Sequence, residues 1–438
     1  MATIILAPHI IHAGWTAENA FGNVWKYVVG VYCGTFLLGW IIGNFQKLIP
    51  EKFSFQPLIV LSAAVAVTLW PYSHGISSHI FMVMAVLCIG RSLRNKTLEV
   101  PGISAFLLLA YSILQFCGLL WSDSLPENTA IFIKPLVMLL MAAVMLFTFR
   151  PTRKLTQAFA IITFKAGLLL LTWYTVMYIL RITELEKPIL SCFVLQKNYM
   201  PYWDLLEITT LVHPSFMAWY FLIIGGVGYV AWRQSKTPLL SRVELWLYAV
   251  LTLFFVFIFQ ARLGQLGFFI VAAFIVYFEI SNKIILKKRY FAFGFLSVFI
   301  LLVIYFFDSK SSFFEDAERQ RLYNQAVLFV KNNFWGGVGT FGETNVLKAN
   351  IRGGVEHLHN DFITAFVRYG IGGFLLFGIC WGQMFIRTIT TSNRKFFFFL
   401  IPTFCIMLTD SAFFYGYSVT LSILFLTMLY NPKNENTK

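Results

Sequence analysis

Apolar runs near the length of a bilayer crossing recur from Tyr27 to Tyr430, and short clusters of Lys and Arg separate them. They predict spans at Tyr27–Phe45, Leu58–Trp70, His79–Leu93, Ile103–Leu120, Ile131–Phe149, Ala158–Leu180, Phe216–Trp232, Leu245–Gln260, Leu266–Ile280, Phe291–Phe307, Phe362–Ile386, Phe396–Leu408 and Phe414–Tyr430. That is about twelve or thirteen helices. Several are short or adjoining, so two can re-enter or fuse, and the stretch 1–23, without Lys or Arg, stays unassigned. The expected fold is an all-α polytopic membrane protein, a single integral domain over residues 1–438 with one long, partly helical loop at 308–358.

Charge sets the orientation. Lys47/Lys52, Arg91/Arg94/Lys96, Arg150/Arg153/Lys154, Arg233/Lys236/Arg242, Lys283/Lys287/Lys288/Arg289 and Arg387/Arg394/Lys395 fall in every second loop, which should therefore be cytoplasmic. The intervening loops, including Asp308–Glu356 and Thr409–Ser411, should face outside. All seven histidines (His9, His12, His74, His79, His213, His357 and His359) then lie outside or at the outer rim. Chemistry on that side has no ready access to ATP, and no Gly-rich phosphate loop with its Lys occurs in the chain.

Composition agrees and narrows the partners. Of 438 residues, 58% are hydrophobic and 12% charged, and the mean hydropathy is +0.72, more apolar surface than a globular core can hide. The net charge of +14 is dispersed between spans, which fits membrane topology and lipid contact rather than nucleic acid. The six cysteines form no CxxC pair or metal-type spacing, so neither structural disulfides nor a metal site is expected.

The loop at 308–358 is too long for a simple connection. It holds a helix-like stretch, Glu315–Lys331, whose Leu322, Ala326, Phe329 and Val330 fall on one face, and then Phe334-Trp335-Gly336-Gly337-Val338-Gly339. This reads as a membrane-lying platform over an outer cavity. Arg319 and Arg321 begin the stretch, and Arg262 sits alone in an apolar turn. Guanidinium groups match phosphate oxygens, so these three suit a diphosphate. Interfacial snorkelling is the structural alternative for Arg262, and a solvated helix face beside Glu315 and Glu318 that for Arg319 and Arg321.

His359 and Asn360 stand where the loop returns to an apolar segment, and nine residues separate Asn360 from Gly370 and then Gly373. An imidazole held there can act as a base. A capping histidine, an Asn360 or Asp361 N-cap, glycines that permit close packing and a His213 that merely precedes Pro214 are the structural alternatives. Lys134, Lys165 and Arg368 lie inside apolar runs and need partners, which keeps a transporter open.

Taken together, His359-Asn360 with nine residues before Gly370-x-x-Gly373, the Arg262 turn, and Arg319 with Tyr323, Ala326 and Gly337-Val338-Gly339 resemble the O-antigen ligase and polymerase superfamily of bacterial envelope glycan assembly. Tyr323 stands where that pattern often has tryptophan; Arg321 lies close enough to Arg319 to exchange roles, as does His357 with His359. The resemblance implies a multi-pass protein of the bacterial inner membrane with its active site toward the periplasm. It further implies a metal-independent, inverting glycosyltransferase without cofactor, moving a glycan from an undecaprenyl-diphosphate carrier to an acceptor hydroxyl. In a ligase the acceptor is the lipid A core; in a repeat-unit polymerase it is another carrier-linked glycan. His359 would be the base, and Arg262, Arg319 and Arg321 the diphosphate clamp. His213, His357, Asn360, Gly370 and Gly373 would support them.

Overall fold

The computed structural model describes residues 38–49, 54–99, 102–122, 129–184, 213–235, 239–258, 262–281, 317–344, 347, 358–414 and 416–433. After a helical stretch at 38–48 come α1 (Phe55–Leu69), α2 (His74–Asn95), α3 (Ile103–Cys117), α4 (Thr129–Thr148), α5 (Arg153–Glu184) and α6 (Pro214–Gln234). Then follow α7 (Arg242–Ile258), α8 (Arg262–Ser281), α9 (Ala317–Asn332), α10 (Asp361–Thr390), α11 (Arg394–Thr409) and α12 (Gly416–Leu429). Among the described residues the only β-pairing is an isolated bridge between Thr152 and Lys433. The fold is that of an all-α polytopic membrane protein.

Among the described residues, five stretches are long and apolar enough to cross a membrane: α2, Ile103–Leu120, Arg153–Leu180 within α5, α6 and α10. Shorter apolar helices such as α1 pack with them. Most helices begin a few residues earlier than the apolar runs predict, because hydropathy does not register polar first turns and caps; α3 begins at Ile103 as predicted, and α12 two residues later than predicted, at Gly416. Ser73 Oγ accepts from the Ile76 N–H at 3.3 Å to start α2, and Asn393 does the same for Phe396 at 3.3 Å to start α11. The predicted span Phe291–Phe307 lies outside the described residues.

The packing follows the glycines and aromatic rings. α6 is buried along nearly its whole length, with α5, α7, α8 and α11 packed around it. Phe164 and Phe398 fill the space beside Gly228 and Gly226, a close approach that lipid, offering no hydrophobic drive, rewards through packing alone. Loop ends predicted to share the cytoplasmic side do meet. Glu99 pairs with Arg150 at 3.7 Å and with Lys433, Asn393 donates to the Leu429 carbonyl at 2.7 Å, and Arg387 donates to the Tyr430 hydroxyl at 3.2 Å.

At the other end α10 bends. Its 30 residues would reach about 45 Å if straight, against about 24 Å for the 16 of α11, yet the ends of both helices meet. Gly370, at φ 62° and ψ −164°, supplies the kink. Only glycine enters that region without strain. The first turns of α10 thus leave the line of the long span that follows, and the chain entering them carries His359.

Candidate active site

His359, Asn360 and Asp361 all reach to one segment, the last turn of α11 and the turn after it. His359 Nδ1 lies 3.2 Å from Asp410 Oδ1, with the imidazole side chain 28% exposed and the carboxylate 6%. Asn360 caps α10 by accepting from the Ile363 N–H at 3.0 Å, while its amide donates to the Leu408 carbonyl at 2.8 Å. Asp361 is fully buried; it accepts from Ser411 Oγ at 2.7 Å and from the backbone N–H groups of Ala412 and Phe413 at 2.9 and 3.2 Å. The motif therefore caps one helix and binds the turn after the next.

Those contacts fix the imidazole. His359 itself has φ 51°, a left-handed conformation uncommon outside glycine, held between buried Leu358 and the Asn360 cap. With Nδ1–H donated to the carboxylate, the lone pair of the neutral ring falls on Nε2. Asp410 also accepts from the Ser411 N–H at 3.0 Å, so it is itself oriented. A carboxylate oriented beside an imidazole is an arrangement that can hold a general base in one tautomer.

The arginine helix comes to the same place through apolar contacts. Leu322 and Ala326 of α9 share a buried cluster with Leu347, Leu358 and Val367, and Phe329 and Val330 pack against it. Leu322 follows Arg321 and Leu358 precedes His359, so one apolar cluster joins the two candidate groups. Arg321 is exposed. Arg319 stands on the first turn of α9, and Arg262 is the first residue of α8. His213 caps α6, accepting from the Ser215 N–H at 3.3 Å. His357 lies outside the described residues.

The two glycines of the motif have separate reasons. Backbone bonds tie the chain after α9 to α10: Val338 N–H to the Val367 carbonyl, Gly339 N–H to the Arg368 carbonyl and Ile371 N–H to the Phe334 carbonyl, each 2.9 Å. A Cβ on Gly370 would stand 2.2 Å from the Trp335 carbonyl oxygen, and one on Gly373 would meet Tyr369. The kink frees carbonyls that a straight helix would use, and the returning loop takes them.

Residues 247–378 match the family model for O-antigen ligase. Over that stretch, less than a third of the chain, the sequence is similar to the O-antigen ligase family. The match contains Arg262, Arg319, Arg321, His357, His359, Asn360, Gly370 and Gly373; His213 precedes it and Asp410 follows it. No curated protein matches the chain.

Sequence reasoning missed Asp410. The signal was present: it is the only charged residue between Lys395 and Lys433, at the end of an apolar run on the side expected to hold His359. It also left two of the intramembrane cations without partners. Arg368 pairs with Glu343 through Nε at 2.7 Å and Nη2 at 2.5 Å, and Lys165 with Glu244 at 3.6 Å.

Proposed function

We propose that this chain is a glycosyltransferase that moves a glycan from an undecaprenyl-diphosphate carrier to the hydroxyl of an acceptor, the lipid A core, at the periplasmic face of the inner membrane. The observation that carries the reading is the His359–Asp410 pair, joined through a buried apolar cluster to the helix bearing Arg319 and Arg321. His359 Nε2 accepts the proton of the acceptor hydroxyl as its oxygen attacks the anomeric carbon. The bond from that carbon to the phosphate oxygen breaks, undecaprenyl diphosphate leaves, and the anomeric centre inverts. Asp410 stabilises the imidazolium that forms. Arg262, Arg319 and Arg321 meet the charge that develops on the departing diphosphate, where preorganised cations act chiefly in the transition state. The family match supports this reaction class.

The test is direct. His359→Ala, Asp410→Ala, Arg262→Ala and Arg319→Ala variants, at matched membrane levels, are supplied with carrier-linked glycan and lipid A core. Loss of core attachment with long carrier-linked chains intact identifies the ligase. Chains stopped at a single repeat identify a polymerase of the same superfamily, and wild-type glycan from every variant would remove the site.

A further inference from the structure

Arg368 and Glu343 form a buried ion pair, 3% and 0% exposed, that belongs neither to the proposed base nor to the proposed clamp. The Arg368 guanidinium lies over the ring of Phe341 at 4.9 Å and that of Phe414 at 5.2 Å. It therefore touches three segments: α10, on which it sits; the loop from Gly337 to Thr344 that continues from α9; and the turn from Asp410 to Phe414. Hydrogen bonds hold the loop against the end of α3 and close the turn. Thr340 donates its N–H to the Gly118 carbonyl and its Oγ1 to the Gln115 carbonyl, at 2.9 and 2.6 Å, and the Phe414 N–H donates to Ser411 Oγ at 3.0 Å. Gly337, at φ 66°, lets the loop backbone lie against Arg368, where a Cβ would stand 2.3 Å from the Arg368 carbonyl carbon.

Stability alone explains this pair poorly. Arg368 Nη1 and Glu343 Oε2 have no hydrogen-bond partner among the described residues, so both groups lose water without full compensation. An apolar pair of similar volume would serve a purely structural junction as well or better. What the charged pair adds is direction, because a guanidinium held by a carboxylate and by two rings fixes the angle between the segments it joins.

We propose that Arg368 and Glu343 are positioning residues that hold the arginine helix α9 in register with the His359–Asp410 pair. This rests on the transfer reaction proposed above. α9 and the Asp410 turn have no sequence continuity with each other, and the junction at Arg368 joins both to α10. Displacement by about 1 Å is enough to cost about a hundredfold in rate when a leaving group and a base must act together.

The experiment replaces the pair by an apolar one, Arg368→Met with Glu343→Leu, in the full-length protein in lipid nanodiscs. Transfer from undecaprenyl-diphosphate-linked glycan and thermal unfolding are both measured. The expected result is near-wild-type unfolding, with kcat lowered about a hundredfold and the donor KM changed less than about threefold. Wild-type kcat, or a change confined to KM, overturns the proposal. Should the double variant fail to insert, Glu343→Gln decides: it keeps the shape and one hydrogen bond, should lower kcat about tenfold, and overturns the proposal if kcat is unchanged. Transfer retained in His359→Ala would sink the reaction itself, whereas an inactive His359→Ala beside a fully active double variant would sink only the positioning role.

Discussion

The two ends of the bundle use charge in opposite ways. At the end where Glu99, Arg150 and Lys433 meet, each of these side chains is about a quarter to a third exposed, and Lys96, Gly102 and Ser392 have positive φ nearby. Pairs of that kind contribute about 0–1 kcal/mol each. At the end where α9, α10 and the Asp410 turn meet, Arg368–Glu343 is buried, Asp361 is fully buried among backbone donors, and His359, Phe341, Gly337 and Gly370 all have positive φ. Removing one partner from a buried pair costs about 3–5 kcal/mol. The buried ion pair and the buried carboxylate lie where side chains must be held at set positions, whereas the ion pairs of the other end stay partly exposed.

Substitutions that separate chemistry from scaffold sharpen this contrast most. His359→Asn should lower transfer about 10²- to 10⁴-fold, as loss of a general base does. Because asparagine tolerates the left-handed conformation, thermal unfolding should stay near wild type. A variant that loses both together would show His359 to be a structural cap. Gly370→Ala strikes the scaffold of the same end. It forces a side chain into a conformation costing about 1–3 kcal/mol, with the Trp335 carbonyl in its way, so the unfolding transition should fall and transfer with it.

Smaller effects test finer parts of the comparison. Asp410→Asn keeps the volume and removes the charge that orients the imidazole; kcat should fall about a hundredfold, at the low end for general-base assistance, with the donor KM little changed. An unchanged kcat would leave His359 without its partner. At the opposite end, Glu99→Gln should change stability by less than about 1 kcal/mol and leave transfer intact. A large loss there would erase the difference between the two ends.

The membrane architecture was readable residue by residue. Apolar runs marked α2, α3, α5, α6, α10 and α11 to within a few residues, since a helix in lipid must satisfy its own backbone and so must be long and apolar. The amphipathic face of α9 was readable too: Leu322, Ala326, Phe329 and Val330 are the residues that pack toward α10. His359 and Asn360 were singled out by the boundary they occupy. Their partners were not, because hydropathy ranks each residue by its own chemistry and says nothing about which distant turn comes beside it.

Sequence by itself determined that this chain is a bundle of membrane helices, and it set the expectation that the basic loops gather on one side and that a histidine and several arginines belong to the other. Burial, helix length and loop charge are local properties, and each is written in consecutive residues. Only the tertiary structure decided that His359 meets Asp410, 51 residues away, that Arg368 finds Glu343, and that Gly370 bends α10. Those outcomes depend on which segments become neighbours, and that is set by the packing of the whole bundle.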